Sequence, residues 1–147
     1  MAQNNVVVRF EEVSFGYSAE SPILDEASFS VRENTKLTLM GQNGAGKSSM
    51  FKLITGDLKP DHGGIHVAQG ATVATAKQVM AREHLAQTVR EYFAQAFAQA
   101  PYNLDKHIAD VLEVVNLSAP LEKKVGEFSG GQQARLLLAY ALIQEPD

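Results

Sequence analysis

The residues best suited to chemistry are eight in a row: Gly41-Gln42-Asn43-Gly44-Ala45-Gly46-Lys47-Ser48. They fit G-x-x-x-x-G-K-[ST] throughout. Glycines let the backbone curl until successive N–H groups point inward, and such a nest cradles phosphate oxygens. A helix starting at the same place directs the positive end of its dipole there. Lys47 then reaches the β- and γ-phosphates of a nucleotide, and the Ser48 hydroxyl ligates Mg²⁺. Ser49 extends the expected contact set.

A second glycine-rich turn, Phe128-Ser129-Gly130-Gly131-Gln132-Gln133, lies far downstream. A serine at the N-cap and two glycines at a helix start make another anion site. Alone, so short a run also reads as a flexible turn.

The elements that must position these residues follow from periodicity. Val6 to Phe15 alternates as a strand, with Val8, Phe10, Val13 and Phe15 facing inward. Ser18–Pro22 reads as a turn. Ala27–Val31 and Lys36–Met40 read as further strands, the latter running into the glycine loop. Ser48–Thr55 reads as a helix with Met50, Phe51 and Ile54 on one face and Gly56 as its stop. After a turn at Lys59–Gly64, short strands are expected near Ile65–Val67 and Thr72–Thr75. Beyond Gln78 the pattern is helical. Thr88 and Glu91 form a capping box, the Ala/Gln-rich stretch Ala94–Ala100 reads as helix, and Pro101 ends it. Leu104, Ile108, Val111, Leu112 and Val115 line one face of the next helix. Gly126–Gly131 opens the last, through about Leu142. Strands, a phosphate loop and a mostly helical insert imply an α/β fold.

The 147 residues, 45% hydrophobic and 20% charged, are enough for one globular domain with a real core. A net charge of −4 argues against broad electrostatic capture of nucleic acid. No cysteine is present, which excludes disulfides and thiolate metal sites and fits a reducing compartment. The first residues lack a signal-peptide pattern, and no apolar run is long enough for a bilayer. Any membrane contact is expected from a partner, without direct insertion, and a cytoplasmic location is expected. His62, His66, His84 and His107 show no metal spacing, and Lys123-Lys124 reads as a solvated surface pair.

Taken together, the phosphate loop and Ser129-Gly130-Gly131-Gln132 resemble the ATP-binding cassette (ABC) family, whose signature is S-G-G-Q. The resemblance covers the whole chain. It implies an ATPase with Mg-ATP as its ligand. The implied fold is a P-loop NTPase-type core with N-terminal antiparallel β strands and a helical signature subdomain. Core residues would span 1–78, the helical subdomain about 79–135, and the return to the core 136–147. One cassette cannot aim both anion sites at one nucleotide. The family solves this with a head-to-tail pair of cassettes, in which Ser129 and Gly131 contact the γ-phosphate held by the partner's loop and Gly130 and Gln132 complete the binding set. From its residues alone Tyr17 is a strand-end tyrosine and Gln78 a loop glutamine. The resemblance gives Tyr17 a stacking role on adenine, and gives Gln78 a place beside Mg²⁺ and the attacking water. Lys47, Gln78 and Ser129, acting in trans, are the implied catalytic set. In the family, an aliphatic run ending in Asp-Glu follows the signature helix. By spacing it would fall past Asp147, so the chain is expected to stop before its catalytic glutamate and to be inactive alone.

Two features resemble one branch in particular. The span from Lys47 to Gln78 is short, and Gln133-Ala134-Arg135-Leu136 follows the signature. Both resemble ABC-F proteins, which act on the ribosome in translation. The expectation is therefore an ABC-F cassette with the ribosome as partner. The alternative is the ATPase subunit of an ABC membrane transporter, with a transmembrane subunit as partner.

Overall fold

The computed structural model describes residues 5–18 and 20–147. It divides into two compact units. The described residues up to Val73, joined by Asp147, form one, and Ala74–Pro146 form the other.

The first unit is built on a three-stranded antiparallel sheet. Strand β1 (Val6–Gly16) is central, between β2 (Pro22–Arg32) and β3 (His62–Val67). Val8, Phe10, Val13 and Phe15 are all buried; the odd step from Phe10 to Val13 is absorbed by a register shift there, with Glu12 at φ 49°. Phe10 stacks on its cross-strand partner Phe29 at 4.4 Å between ring centroids. Helix α1 (Lys47–Thr55) packs Leu53 into this core, with Met50 and Ile54 beside it. Phe51 lies on the exposed side, so the expected inward face is corrected to Met50, Leu53 and Ile54. Both sets satisfy helical spacing, and only packing chooses between them. Gly56 ends α1 at φ 80°, as expected of a left-handed C-cap.

Two expected strands are absent among the described residues. Lys36–Met40 and Thr72–Thr75 form no ladder, and Leu37 and Met40 are exposed. A strand is defined by its partner, and no described strand lies against either segment. Thr72 is instead tied to Asp147: its N–H donates to Oδ2 at 2.7 Å, and its carbonyl accepts from the Asp147 N–H at 3.1 Å.

The second unit is helical. Helices α2 (Val89–Ala94), α3 (Leu104–Val114) and α4 (Gly130–Leu142) enclose Val89, Phe93, Ile108, Val125 and Leu136, all fully buried. Each such side chain stabilises the fold by roughly 1.5–3 kcal/mol. Leu104, Ile108 and Leu112 form the buried stripe of α3, with Val111 and Val115 against its edge. Thr88 and Glu91 make the expected capping box on α2. That helix ends at Ala94, and the expected helix through Ala100 is corrected to turns. There Ala96 and Phe97 N–H groups bond three residues back, and Phe97 packs on the core. Residues 121–126 run alongside 85–90, joined by bonds such as Val89 N–H to Lys123 C=O at 3.0 Å. Arg90 clamps this junction, bonding both Asp105 oxygens and Glu122. Its guanidinium holds the Asp105 carboxyl below the ordinary range. No helix is long and apolar enough to cross a membrane among the described residues.

Candidate functional site

The loop Gly41–Gly46 has the backbone its glycines predict. Gly44 and Gly46 sit at φ 86° and 87°, a region that L side chains rarely adopt. Ala45 closes the turn by donating its N–H to the Gln42 carbonyl at 3.2 Å. A Cβ on Gly46 would lie inside the Ile23 side chain, so β2 passes directly behind the loop. Gly46 is also the N-cap of α1. Unlike α2 and α4, this helix has no side-chain cap, and unlike α2 it has no acid in its first turn. Its first N–H donors are therefore left for an anion. Lys47 adds positive charge at the same point. Its Nζ donates to the carbonyls of Gly41 and Gln42, each at 2.7 Å, which folds the ammonium across the loop.

Ser48 is exposed at the helix start, whereas Ser49 is buried at 5% exposure. The Ser49 hydroxyl is 3.0 Å from the Tyr17 hydroxyl. The Tyr17 ring is 67% exposed and meets the edge of Phe15 at 5.3 Å between centroids. The structure thus brings Tyr17 to the first turn of α1, a contact that sequence distance hides.

Gln78 and Ser129–Gln132 belong to the second unit. Gln78 is exposed in an irregular stretch that ends at the buried Met80. Ser129 caps α4: its Oγ accepts from the Gln132 N–H at 3.3 Å, and Gln132 Oε1 accepts from the Ser129 N–H at 2.9 Å. The Gln132 side chain is thereby engaged in helix capping, a role the S-x-x-Q spacing already signals. Gln133 braces the same turn by donating to the Phe128 carbonyl at 3.0 Å. Cβ atoms at Gly130 and Gly131 would meet nothing within 4 Å. Lys123, expected to be solvated, lies 4.4 Å over the Phe128 ring.

Residues 24–147 match the family model described as ABC transporter. The chain belongs to the ABC transporter family. Among its relatives, the zinc import ATP-binding protein ZnuC of Wolbachia sp. subsp. Brugia malayi is 30% identical over 145 residues, covering 98% of this chain and 58% of the relative. The Nod factor export ATP-binding protein I of Burkholderia thailandensis is 32% identical over 152 residues, covering 95% and 50%. The chain spans about half the length of these curated relatives. Among solved structures, cbiO1 from Clostridium perfringens, part of an ABC transporter complex, superposes with a TM-score of 0.78 at 21% identity, covering 97% of this chain and 63% of that one. An ATP-bound bacterial Atm1-family ABC exporter gives 0.71 at 22%, covering 95% and 28%. These likenesses establish the α/β cassette fold, with antiparallel strands and a helical subdomain.

The expectation of an ABC-F translation factor on the ribosome is corrected by these findings. The relatives are named for zinc import and Nod factor export, and a further one, from Thermobifida fusca, for hemin import. The two features behind that expectation were a short span and the four residues Gln133–Leu136 after the signature. Loop length costs little to vary, and the Ala134 and Arg135 side chains are exposed beyond the cap. Neither reports on what the cassette docks against.

Proposed function

We propose that this chain is the ATP-binding part of an ABC transporter's motor. It binds Mg-ATP at Gly41–Ser49, pairs head-to-tail with a second cassette, and drives a transmembrane partner by ATP hydrolysis. The observation that carries this reading is the loop itself, where paired left-handed glycines, an uncapped helix start and a folded-over lysine converge. When bound, Mg-ATP supplies a phosphoanhydride bond and a metal charge that offsets the phosphates.

The chain's own residues take distinct parts. Backbone N–H groups of Gly44–Ser48 hold the phosphates. Lys47 exchanges its two carbonyl partners for phosphate oxygens, and Ser48 holds the metal. Tyr17 offers its ring to the base. Gln78, by the family resemblance, would orient water and metal. Ser129–Gln132 serve the partner cassette's nucleotide. Support for this last role comes from Gly130 and Gly131. Their own fold does not need glycine there, and glycine in a helix costs up to about 1 kcal/mol against alanine. An incoming phosphate at the end of α4 gives the missing Cβ atoms a reason.

Fractionating native cells tests the transporter reading. The protein is expected in membranes, in a complex that contains a membrane-spanning subunit and survives detergent. Recovery only free of membranes, with no such subunit, contradicts it.

A further inference from the structure

The contact between Tyr17 and Ser49 carries a consequence for base recognition. Tyr17 follows β1 and is largely exposed, and a side chain so exposed ordinarily changes rotamer within nanoseconds. Here three contacts restrain it. The N–H of the preceding Gly16 donates to Asp61 Oδ2 at 3.0 Å, which anchors the backbone to the start of β3. The ring edge rests on Phe15. The hydroxyl meets Ser49, a buried polar residue on the first turn of α1, at 3.0 Å. The far end of the ring is therefore pinned to the helix whose N-terminus faces the phosphates.

We infer that the Tyr17 hydroxyl is a positioning group: through Ser49 it locks the base-stacking ring to the phosphate-binding helix. The distance from stacked base to phosphate loop is thereby set before nucleotide arrives. Fixing both torsions of the ring removes an ordering cost from binding. It also changes the expectation for Tyr17→Phe. A ring acting by its face alone tolerates loss of the hydroxyl, whereas a pinned ring does not. This inference rests on the ATP reading of the loop.

The test measures affinities for ATP and for inorganic tripolyphosphate, which has no base, by titration calorimetry. Tyr17→Phe is expected to weaken ATP binding about twofold to tenfold, the range of one net hydrogen bond, with a smaller effect on tripolyphosphate. The weakening is expected to vanish when Tyr17→Phe is made in a Ser49→Ala background, because the pair then has nothing left to lose. Ser49→Thr, which keeps the hydroxyl, is expected to retain the Tyr17→Phe effect. The inference is overturned if Tyr17→Phe binds ATP as the wild type does, or weakens both ligands equally, or weakens ATP equally with and without Ser49. The ratio of the two affinities in Tyr17→Phe stands as a test even if Ser49→Ala does not fold. A wild-type protein that binds neither ligand would instead refute the phosphate-loop reading beneath the inference, a distinguishable result.

Discussion

Gly44 and Gly46 share nearly the same left-handed backbone but not the same surroundings. Alanine at either position carries a left-handed penalty of about 1–2 kcal/mol. A Cβ at Gly44 meets nothing within 4 Å, so Gly44→Ala is expected to cost only that amount. At Gly46 the new carbon falls inside the Ile23 side chain, with Cγ2 the atom it strikes. Overpacking of that kind adds about 1–3 kcal/mol, so Gly46→Ala is expected to cost about 2–5 kcal/mol. The excess belongs to one pair of side chains, and Ile23→Ala removes the obstructing methyl. In that background Gly46→Ala is expected to fall back to the cost of Gly44→Ala. Urea denaturation of all five proteins without nucleotide separates these effects from ligand binding. If Gly44→Ala and Gly46→Ala prove equally costly, or Ile23→Ala leaves the Gly46 penalty unchanged, the described packing of β2 behind the loop is wrong.

Gly130→Ala and Gly131→Ala are expected to leave stability unchanged or raise it by up to about 1 kcal/mol each, while ATP turnover of the assembled transporter falls; melts and phosphate release measure the two. Ser129→Ala is expected to destabilise the second unit by about 1 kcal/mol through loss of the α4 cap, read by denaturant melt. Burial raises the Tyr92 phenol to about 12 from an ordinary value of 10.0. The folded state then retains a proton that the unfolded chain loses, so this contribution is intact below pH 10 and is lost as pH rises towards 12. The loss is on the order of 2 kcal/mol, and Tyr92→Phe is expected to flatten that alkaline limb in a pH series of melts. On the acid side, the backbone N–H and hydroxyl of Thr88 hold the Glu91 carboxyl below its ordinary range. That support is present above the unfolded pKa and is lost as pH falls through the folded one, a dependence that Thr88→Ala should reduce.

Features that depend on a few neighbouring residues were legible in the sequence. The turn at Gly44–Gly46 is one, since those two glycines answer a local backbone demand. The box Thr88–Glu91 and the Ser129 N-cap are others, because a cap needs only the right residues within one turn. Features set by distant partners were not. Lys36–Met40 has strand composition, but composition does not supply a neighbouring strand. Ala94–Ala100 is rich in helix formers, yet the packing of Phe97 outweighs a propensity of a few tenths of a kcal/mol per residue. Helical spacing could not distinguish Phe51 from Leu53, and nothing nearby in sequence points from Tyr17 to Ser49 or from Gly46 to Ile23. The branch of the family was misread for a related reason. Span length and residues beyond a cap record local loop geometry, whereas partner choice lies in surfaces assembled from across the fold.

ATP binding at the loop is the claim on which the other roles depend. Titration calorimetry with Mg-ATP on the wild type and on Lys47→Ala tests it most directly. Lys47 is expected to contribute charge-assisted hydrogen bonds to phosphate worth about 1.5–3 kcal/mol each. The variant should therefore bind ATP about tenfold to a hundredfold more weakly. Equal affinity in the two proteins would contradict the assignment of Gly41–Ser49 as the nucleotide site.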